Sequence, residues 1–230
     1  MTATYFPEFL NQISSKSLNV LDSGIPLQSY VHLDLSESNK ELYKVDTSSS
    51  KDLGAYIFNY LKANKGRVAY GGYNEVRNLY KRSPYFNKQD IASQRNIHLG
   101  IDLWIEAGTP VFSLLDATVH SFKNNTNYGD YGPTIILKHH INDIEFYTLY
   151  GHLSMESIAN TSVGQFFKQG EQIATLGDVS INGDYSPHLH FQIIKDIQDY
   201  KGDYPGVCSK QDLDFHLNNC PDPNMLLKLM

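Results

Sequence analysis

The sequence predicts a mainly β, β-rich α+β fold: an antiparallel β-sheet domain, a small partly helical N-terminal extension and short C-terminal helices. Three observations carry this. From about residue 96 the chain breaks into short segments rich in β-branched and aromatic residues, divided by Gly, Asn, Asp and Pro. No helical segment of 10–15 residues separates them, which favours hairpin pairing over βαβ units. The only clear helical period lies earlier, before residue 67.

Residues 1 to about 50 are polar and Ser-rich without a strong period, so they read as an extension packed on the main domain. "SSKDLGAYIFNYLKANKG" follows, with a Ser N-cap, apolar positions at Leu53, Tyr56, Ile57, Tyr60 and Leu61, and Gly66 as a stop. This is an amphipathic helix that should lie on a sheet. The expected division is therefore an extension with one helix over residues 1–66 and a main domain over 67–230, its core at 96–195. Within that core "TPVFSLLDATVHSF", "GPTIILKHH", "IEFYTLYGHL", "EQIATLG" and "HLHFQII" read as strands. The tail "SKQDLDFHLNNCPDPNMLLKLM" reads as helical pieces broken by Pro221 and Pro223.

Composition narrows the function classes. The 230 residues are 41% hydrophobic and 19% charged, enough for one substantial core. A formal net charge of −6 without Lys/Arg runs argues against a nucleic-acid or anionic-membrane partner. The first residues lack a basic stretch followed by an unbroken apolar run, and nothing approaches a membrane span, so a cytoplasmic protein is expected. Cys208 and Cys220 are the only cysteines and are expected as reduced thiols. The sequence gives no oligomeric state.

The chemistry concentrates in three histidine groups: "HLGID" (98–102), "YGHLS" (150–154) and "HLH" (188–190). A catalytic zinc site commonly takes three His, Asp or Glu ligands and leaves a fourth position for water. His98 and Asp102 would stand roughly 13 Å apart on a straight strand at about 3.3 Å per residue. Gly100 between them permits the turn or bulge that brings both to one ion. His188 and His190 share one strand face. With His152 also available, one of that pair can bind metal while the other hydrogen-bonds the reacting water or carbonyl; imidazole titrates near 6.5, and water on zinc near 7. His32, His120, His139, His140 and His216 read as surface or core residues.

In order and context, "HLGIDLWIEAGTPVFSLLDATV", "YTLYGHLS", "VGQFFKQGEQIATLGDVS" and "PHLHFQI" resemble the M23 family of zinc metallopeptidases, of the lysostaphin and LytM type. The resemblance implies one Zn2+ per chain held by His98, Asp102 and His190, with His152 and His188 as the two assisting catalytic histidines. It implies an antiparallel sheet floor, a groove framed by loops, and hydrolysis of an amide, above all a peptide bond, as in peptidoglycan hydrolases. A small cytoplasmic amide or amino-acid conjugate is the alternative substrate, and a zinc-stabilised binding or regulatory module the alternative role.

The flanking segments "GGYNEVRNLYKRSPYF", "GDYPGV" and "CPDPNMLL" are similar to the M23-like middle region of polypeptides joining a kinase-like phosphotransferase domain to a class III aminotransferase. That context fits the absence of an export signal and of a wall-binding domain, and points away from cell-wall peptide. In "GGYNEVR", Asn74 is a candidate extra or latent-state zinc ligand, and Arg77 a candidate for binding a substrate carboxylate.

Overall fold

The computed structural model describes residues 5–83 and 93–229; residues 84–86 of the "SPYF" stretch, part of the longer resemblance, lie outside them. The strands are β1 (Tyr30–His32), β2 (Val68–Gly71), β3 (Ile97–His98), β4 (Ile101–Trp104), β5 (Pro110–Phe112) and β6 (Ala117–Asn125). They continue with β7 (Gly132–Ile141), β8 (Ile144–Gly151), β9 (Phe166–Phe167), β10 (Gln172–Thr175), β11 (His188–Ile194) and β12 (Val207–Cys208). The α-helices are α1 (Phe6–Ile13), α2 (Ser50–Ala63), α3 (Met155–Ala159), α4 (Leu213–Asn219) and α5 (Asn224–Leu227).

One eight-stranded sheet, in the order β1-β2-β4-β11-β8-β7-β6-β9, forms the frame. Its pairs are antiparallel except β1 with β2. Asn142 and Asp143, at φ 51° and 62°, join β7 to β8. A two-residue connection with both residues left-handed matches the twist of a tight hairpin.

Strand β11 shows how the sheet divides two chemistries. Leu189, Phe191 and Ile193 alternate onto one face and join a core with Ile101, Leu103 and Tyr150. That core also takes Phe6, Phe9 and Leu10 of α1 and Leu226 and Leu227 of α5. His188, His190 and Gln192 occupy the other face, yet all seven residues of β11 are buried. Two smaller apolar clusters flank this polar stripe. One joins Leu53 and Ile57 of α2 to Ala69, Trp104 and Tyr185; the other joins Tyr131, Leu149, Ile194 and Tyr204.

Helix α2 forms where its period predicted it. Ser49 caps it by accepting from the Asp52 N–H at 3.2 Å, and Leu53 and Ile57 bury the i, i+4 face against the sheet. The helix ends at Ala63, earlier than the expected stop at Gly66, because Lys65 already takes the left-handed conformation at φ 53°. Residues 5–66 also hold α1, which the sequence reading lacks. Its Phe6, Phe9 and Leu10 make a stripe only two turns long, too short for periodicity to separate it from its polar surroundings. Cys208 and Cys220 are buried free thiols. No helix among the described residues is long and apolar enough to cross a membrane.

Candidate metal centre

The site lies on the face of the sheet that carries His188, His190 and Gln192. Antiparallel register sets His190 opposite Asp102 of β4 on one side and Gly151 of β8 on the other. His98 arrives from β3, which pairs with β12 outside the main sheet. The chain between His98 and Asp102 therefore changes sheets at Leu99 and Gly100. Gly100 does not take a positive φ there. Its lack of a side chain serves a close approach instead: a Cβ would lie 2.6 Å from His190 Cε1 and 2.7 Å from the Phe191 carbonyl oxygen.

Three atoms converge. His98 Nε2 stands 2.9 Å from His190 Nδ1 and 3.3 Å from Asp102 Oδ1, and His190 Nδ1 is 3.1 Å from the same oxygen. The hydrogen bonds behind them define the lone pairs. His98 Nδ1 donates to the Gly72 carbonyl at 3.0 Å, which leaves Nε2 bare in the neutral ring. Gln192 spends its amide NH2 on the Pro205 carbonyl and Cys220 Sγ, so its Oε1 accepts from His190 Nε2 at 3.0 Å and leaves His190 Nδ1 bare. Burial pushes the His98 imidazole down to about 4, so a proton does not relieve the contact at neutral pH. Burial alone would raise Asp102, but His98 and the Arg77 guanidinium hold its carboxyl well below the usual range. Two imidazole nitrogens and a carboxylate oxygen, all within 4.8 Å of one another, make His98, Asp102 and His190 a candidate cation site. The spacings also suit a small tetrahedral ion, because bonds of about 2.0–2.1 Å place neighbouring ligand atoms roughly 3.3 Å apart.

His152 and His188 stand beside this triangle with ring centroids 4.2 Å apart. His152 Nδ1 donates to the Asn182 carbonyl and His188 Nδ1 to the Ser186 carbonyl, each at 2.8 Å, so both keep Nε2 as a base. His188 Nε2 is 3.7 Å from Asp102 Oδ1. Burial lowers both imidazoles, that of His152 strongly. His152 has φ 64°, a conformation costly for a residue with a side chain. Two hydrogen bonds hold it there: its N–H donates to the Tyr131 carbonyl and its carbonyl accepts from the Gly177 N–H, each at 2.9 Å.

Arg77 and Asn74, the two candidates from "GGYNEVR", take different places relative to the cleft. Arg77 is 2% exposed and donates from Nη1 to Asp102 Oδ2 at 2.5 Å while its Nε pairs with Glu75. Its Nε and Nη1 are engaged inside the protein, while Nη2 has no hydrogen-bond partner among the described residues and Arg77 lines the cleft. Gly72, at φ 111°, makes room for it, since a Cβ would lie 2.1 Å from Arg77 Nη2. Asn74 is exposed, has φ 54° in the turn and does not line the cleft; it contributes its backbone N–H to the His98 carbonyl at 2.9 Å. Sequence reasoning missed Gln192 and Glu75. Period two was the available signal, because Gln192 follows His188 and His190 on one face and Glu75 precedes Arg77 by the same step.

Residues 96–202 match the model of peptidase family M23. The match covers a little under half of the chain. Among solved structures, the chain is similar to the catalytic domain of the antimicrobial peptidase lysostaphin from Staphylococcus simulans, at 24% identity and TM-score 0.37 over 53% of this chain and 80% of that one. A zinc-containing peptidase from Vibrio cholerae is similar at 26% identity and TM-score 0.34, over 47% of this chain and 30% of that one. A variant catalytic domain of the prophage-encoded M23 protein EnpA from Enterococcus faecalis is similar at 21% identity and TM-score 0.36, over 47% and 75%. The chain thus spans less than a third of the Vibrio cholerae protein. No curated protein matches the chain.

Two outcomes follow from the buried charges of this site. Arg77→Met leaves the Asp102 and Glu75 carboxylates without their shared cation and should cost about 3–5 kcal/mol in denaturant unfolding, with Arg77→Lys losing less. A change within about 0.5 kcal/mol in Arg77→Met would contradict this pairing. Acid should also weaken the metal-free fold. His98 and His139 are both held down to about 4 by burial, whereas the unfolded chain protonates them near 6.5. Their stabilisation is complete above about pH 6.5 and is lost as pH falls toward about 4, because the unfolded state binds more protons throughout that window. The Tm of metal-free protein should therefore fall steadily between about pH 7 and 4.5. A flat profile would mean that these rings are already charged in the folded state.

Proposed function

We propose that the chain is a zinc-dependent hydrolase of an amide bond, above all a peptide bond, with His98, Asp102 and His190 as zinc ligands and His152 and His188 as catalytic bases. The observation that carries this reading is the meeting of His98 Nε2, His190 Nδ1 and Asp102 Oδ1 at 2.9–3.3 Å beside two further imidazoles whose Nε2 atoms are uncommitted to backbone. The family match supports the peptidase class.

When bound, zinc supplies a Lewis acid that polarises a carbonyl oxygen and lowers the pKa of water toward about 7. The chain's own residues do the rest. Asp102 offers Oδ1 to the metal point while Arg77 holds Oδ2, which fixes the carboxylate orientation. Gln192 and the Gly72 carbonyl fix the tautomers of His190 and His98. His152 and His188 are neutral near pH 7, since burial lowers both, and each presents a base to the cleft. One accepts the proton of the attacking water as the new C–O bond forms, and the proton passes to the amide nitrogen as the C–N bond breaks and the amine leaves.

The roles separate by experiment. Purified protein should bind about one zinc, and His98→Ala, Asp102→Ala and His190→Ala should each lose it by elemental analysis. His152→Ala and His188→Ala should keep the metal, and His188→Ala should lower kcat by about 10²–10⁴. Full zinc in the three ligand variants, or wild-type turnover by zinc-loaded His188→Ala, would defeat the assignment.

A further inference from the structure

His152 and His188 are aimed by one short loop. The Nδ1–H of His152 donates to the Asn182 carbonyl and that of His188 to the Ser186 carbonyl, each at 2.8 Å. Both acceptors sit within residues 182–186, so whatever fixes that stretch fixes which nitrogen of each ring stays bare.

The loop needs outside support to keep its shape. Gly183 and Asp184 are both left-handed, at φ 84° and 63°, a conformation unfavourable for a residue that carries a Cβ. Gly183 is required at its position, because a Cβ would lie 1.8 Å from the Asp130 carbonyl oxygen. The Asn182 side chain spans the turn, accepting from the Tyr185 N–H and donating to the Tyr185 carbonyl, each at 3.0 Å. The partners of the apex, Asp184, come from outside the loop.

Arg82 supplies the strongest of them. Its Nη2 donates to the Asp184 carbonyl at 2.6 Å and its Nη1 to the Ser48 carbonyl at 3.2 Å, so one planar fork joins the loop to the residues that lead into α2. The grip is on the backbone. Nη1 is also 3.5 Å from Asp184 Oδ2, but that carboxylate is 40% exposed, and an ion pair so placed contributes little. The Arg82 side chain is itself only 4% exposed, and its hydrogen bonds to neutral carbonyls are charge-assisted. Its guanidinium also stands 4.3 Å over the Tyr185 ring. That ring meets both catalytic imidazoles edge-on, His152 at 5.2 Å and His188 at 5.7 Å. Arg82 therefore reaches the two histidines by two routes: the backbone that carries their acceptors, and the ring packed against them.

Helix α2 backs this clasp. Ser50 Oγ donates to Asp184 Oδ1 at 2.7 Å, and a Cβ on Gly54 would stand 3.2 Å from Ser186 Oγ. Ser48, Ser50, Gly54 and Arg82 all precede residue 96, where the family match begins. Arg82 does not line the cleft, so its effect on the site passes through other residues.

We infer that Arg82 is a positioning residue: it ties residues 182–186 to the chain ahead of the matched region, and so keeps the Nδ1–H of both His152 and His188 on their carbonyls and both Nε2 atoms bare. The catalytic role of the two rings rests on the hydrolase reading; their dependence on Arg82 does not.

The imidazole N–H proton resonances of the intact, zinc-treated chain read this directly, because a hydrogen bond to a buried carbonyl slows exchange with water. Four rings supply an internal comparison. The His152 and His188 protons depend on the loop, whereas those of His98, on the Gly72 carbonyl, and His190, on Gln192, do not. In Arg82→Met the His152 and His188 protons should exchange at least about tenfold faster, while the His98 and His190 protons and the zinc content stay as in wild type. Arg82→Lys keeps the charge but lacks the fork that joins two carbonyls, so it should show the same selective loss. It replaces Arg82→Met if circular dichroism shows that variant unfolded. The inference is overturned if a folded variant leaves the His152 and His188 protons as in wild type, or if all four rings loosen together. Unfolding of both variants would overturn it as well, by making Arg82 a residue of the fold at large. Selective loss in a protein that takes up no zinc supports the clasp and instead defeats the hydrolase reading.

Discussion

The structure turns on a contact that is repulsive unless something positive lies within it. His98 Nε2, His190 Nδ1 and Asp102 Oδ1 meet at hydrogen-bond distance with no proton to share, because both imidazoles have spent their N–H on Gly72 and Gln192. Burial denies them water, and it also holds the His98 ring neutral. Such a cluster persists only where the surrounding fold holds each member in place. The register of β11 between β4 and β8, the change of sheet at Gly100 and the paired Arg77 supply that hold.

Charge is arranged around that contact in layers. Asp102 faces the metal point with one oxygen and Arg77 with the other, and Glu75 offsets the remaining positive charge of the guanidinium. A buried ion pair of this kind adds little to stability by itself, since desolvation consumes most of its Coulombic gain. Its effect is orientation: a carboxylate held through Oδ2 presents Oδ1 in one direction. His152 and His188 are oriented in the same manner by the carbonyls of Asn182 and Ser186, so all five side chains are aimed by partners in the backbone or in a neighbouring side chain. The left-handed backbone at His152 belongs to the same set of constraints.

Much of this was legible in the sequence because it rests on short-range periods. The β-rich class, the helix at α2 and the common face of His188 and His190 all follow from patterns of 2 and 3.6 residues read over a few positions. What escaped depends on distant partners. Nothing local to Arg77 shows its pairing, which needs β4 to bring Asp102, 25 positions away, against it. Gly100 invites a conformational explanation, yet its role is to leave space for a ring from residue 190. Helix α1 is too short for its period to show, and its place is fixed by Phe146 and the C-terminal Leu226 and Leu227. The enclosing of the cleft by α2 was equally hidden, because nothing local in "DLGAYIFNY" shows that Leu53 and Gly54 come to lie against the loop before His188.

X-ray absorption at the zinc edge of the zinc-loaded protein addresses the central contact most directly. The expected spectrum contains only nitrogen and oxygen neighbours at about 2.0–2.1 Å, with the outer-shell scattering of two imidazole rings. A sulfur neighbour at about 2.3 Å would place the metal at Cys208 or Cys220, and the absence of imidazole scattering would place it away from His98 and His190; either result would contradict the site described here.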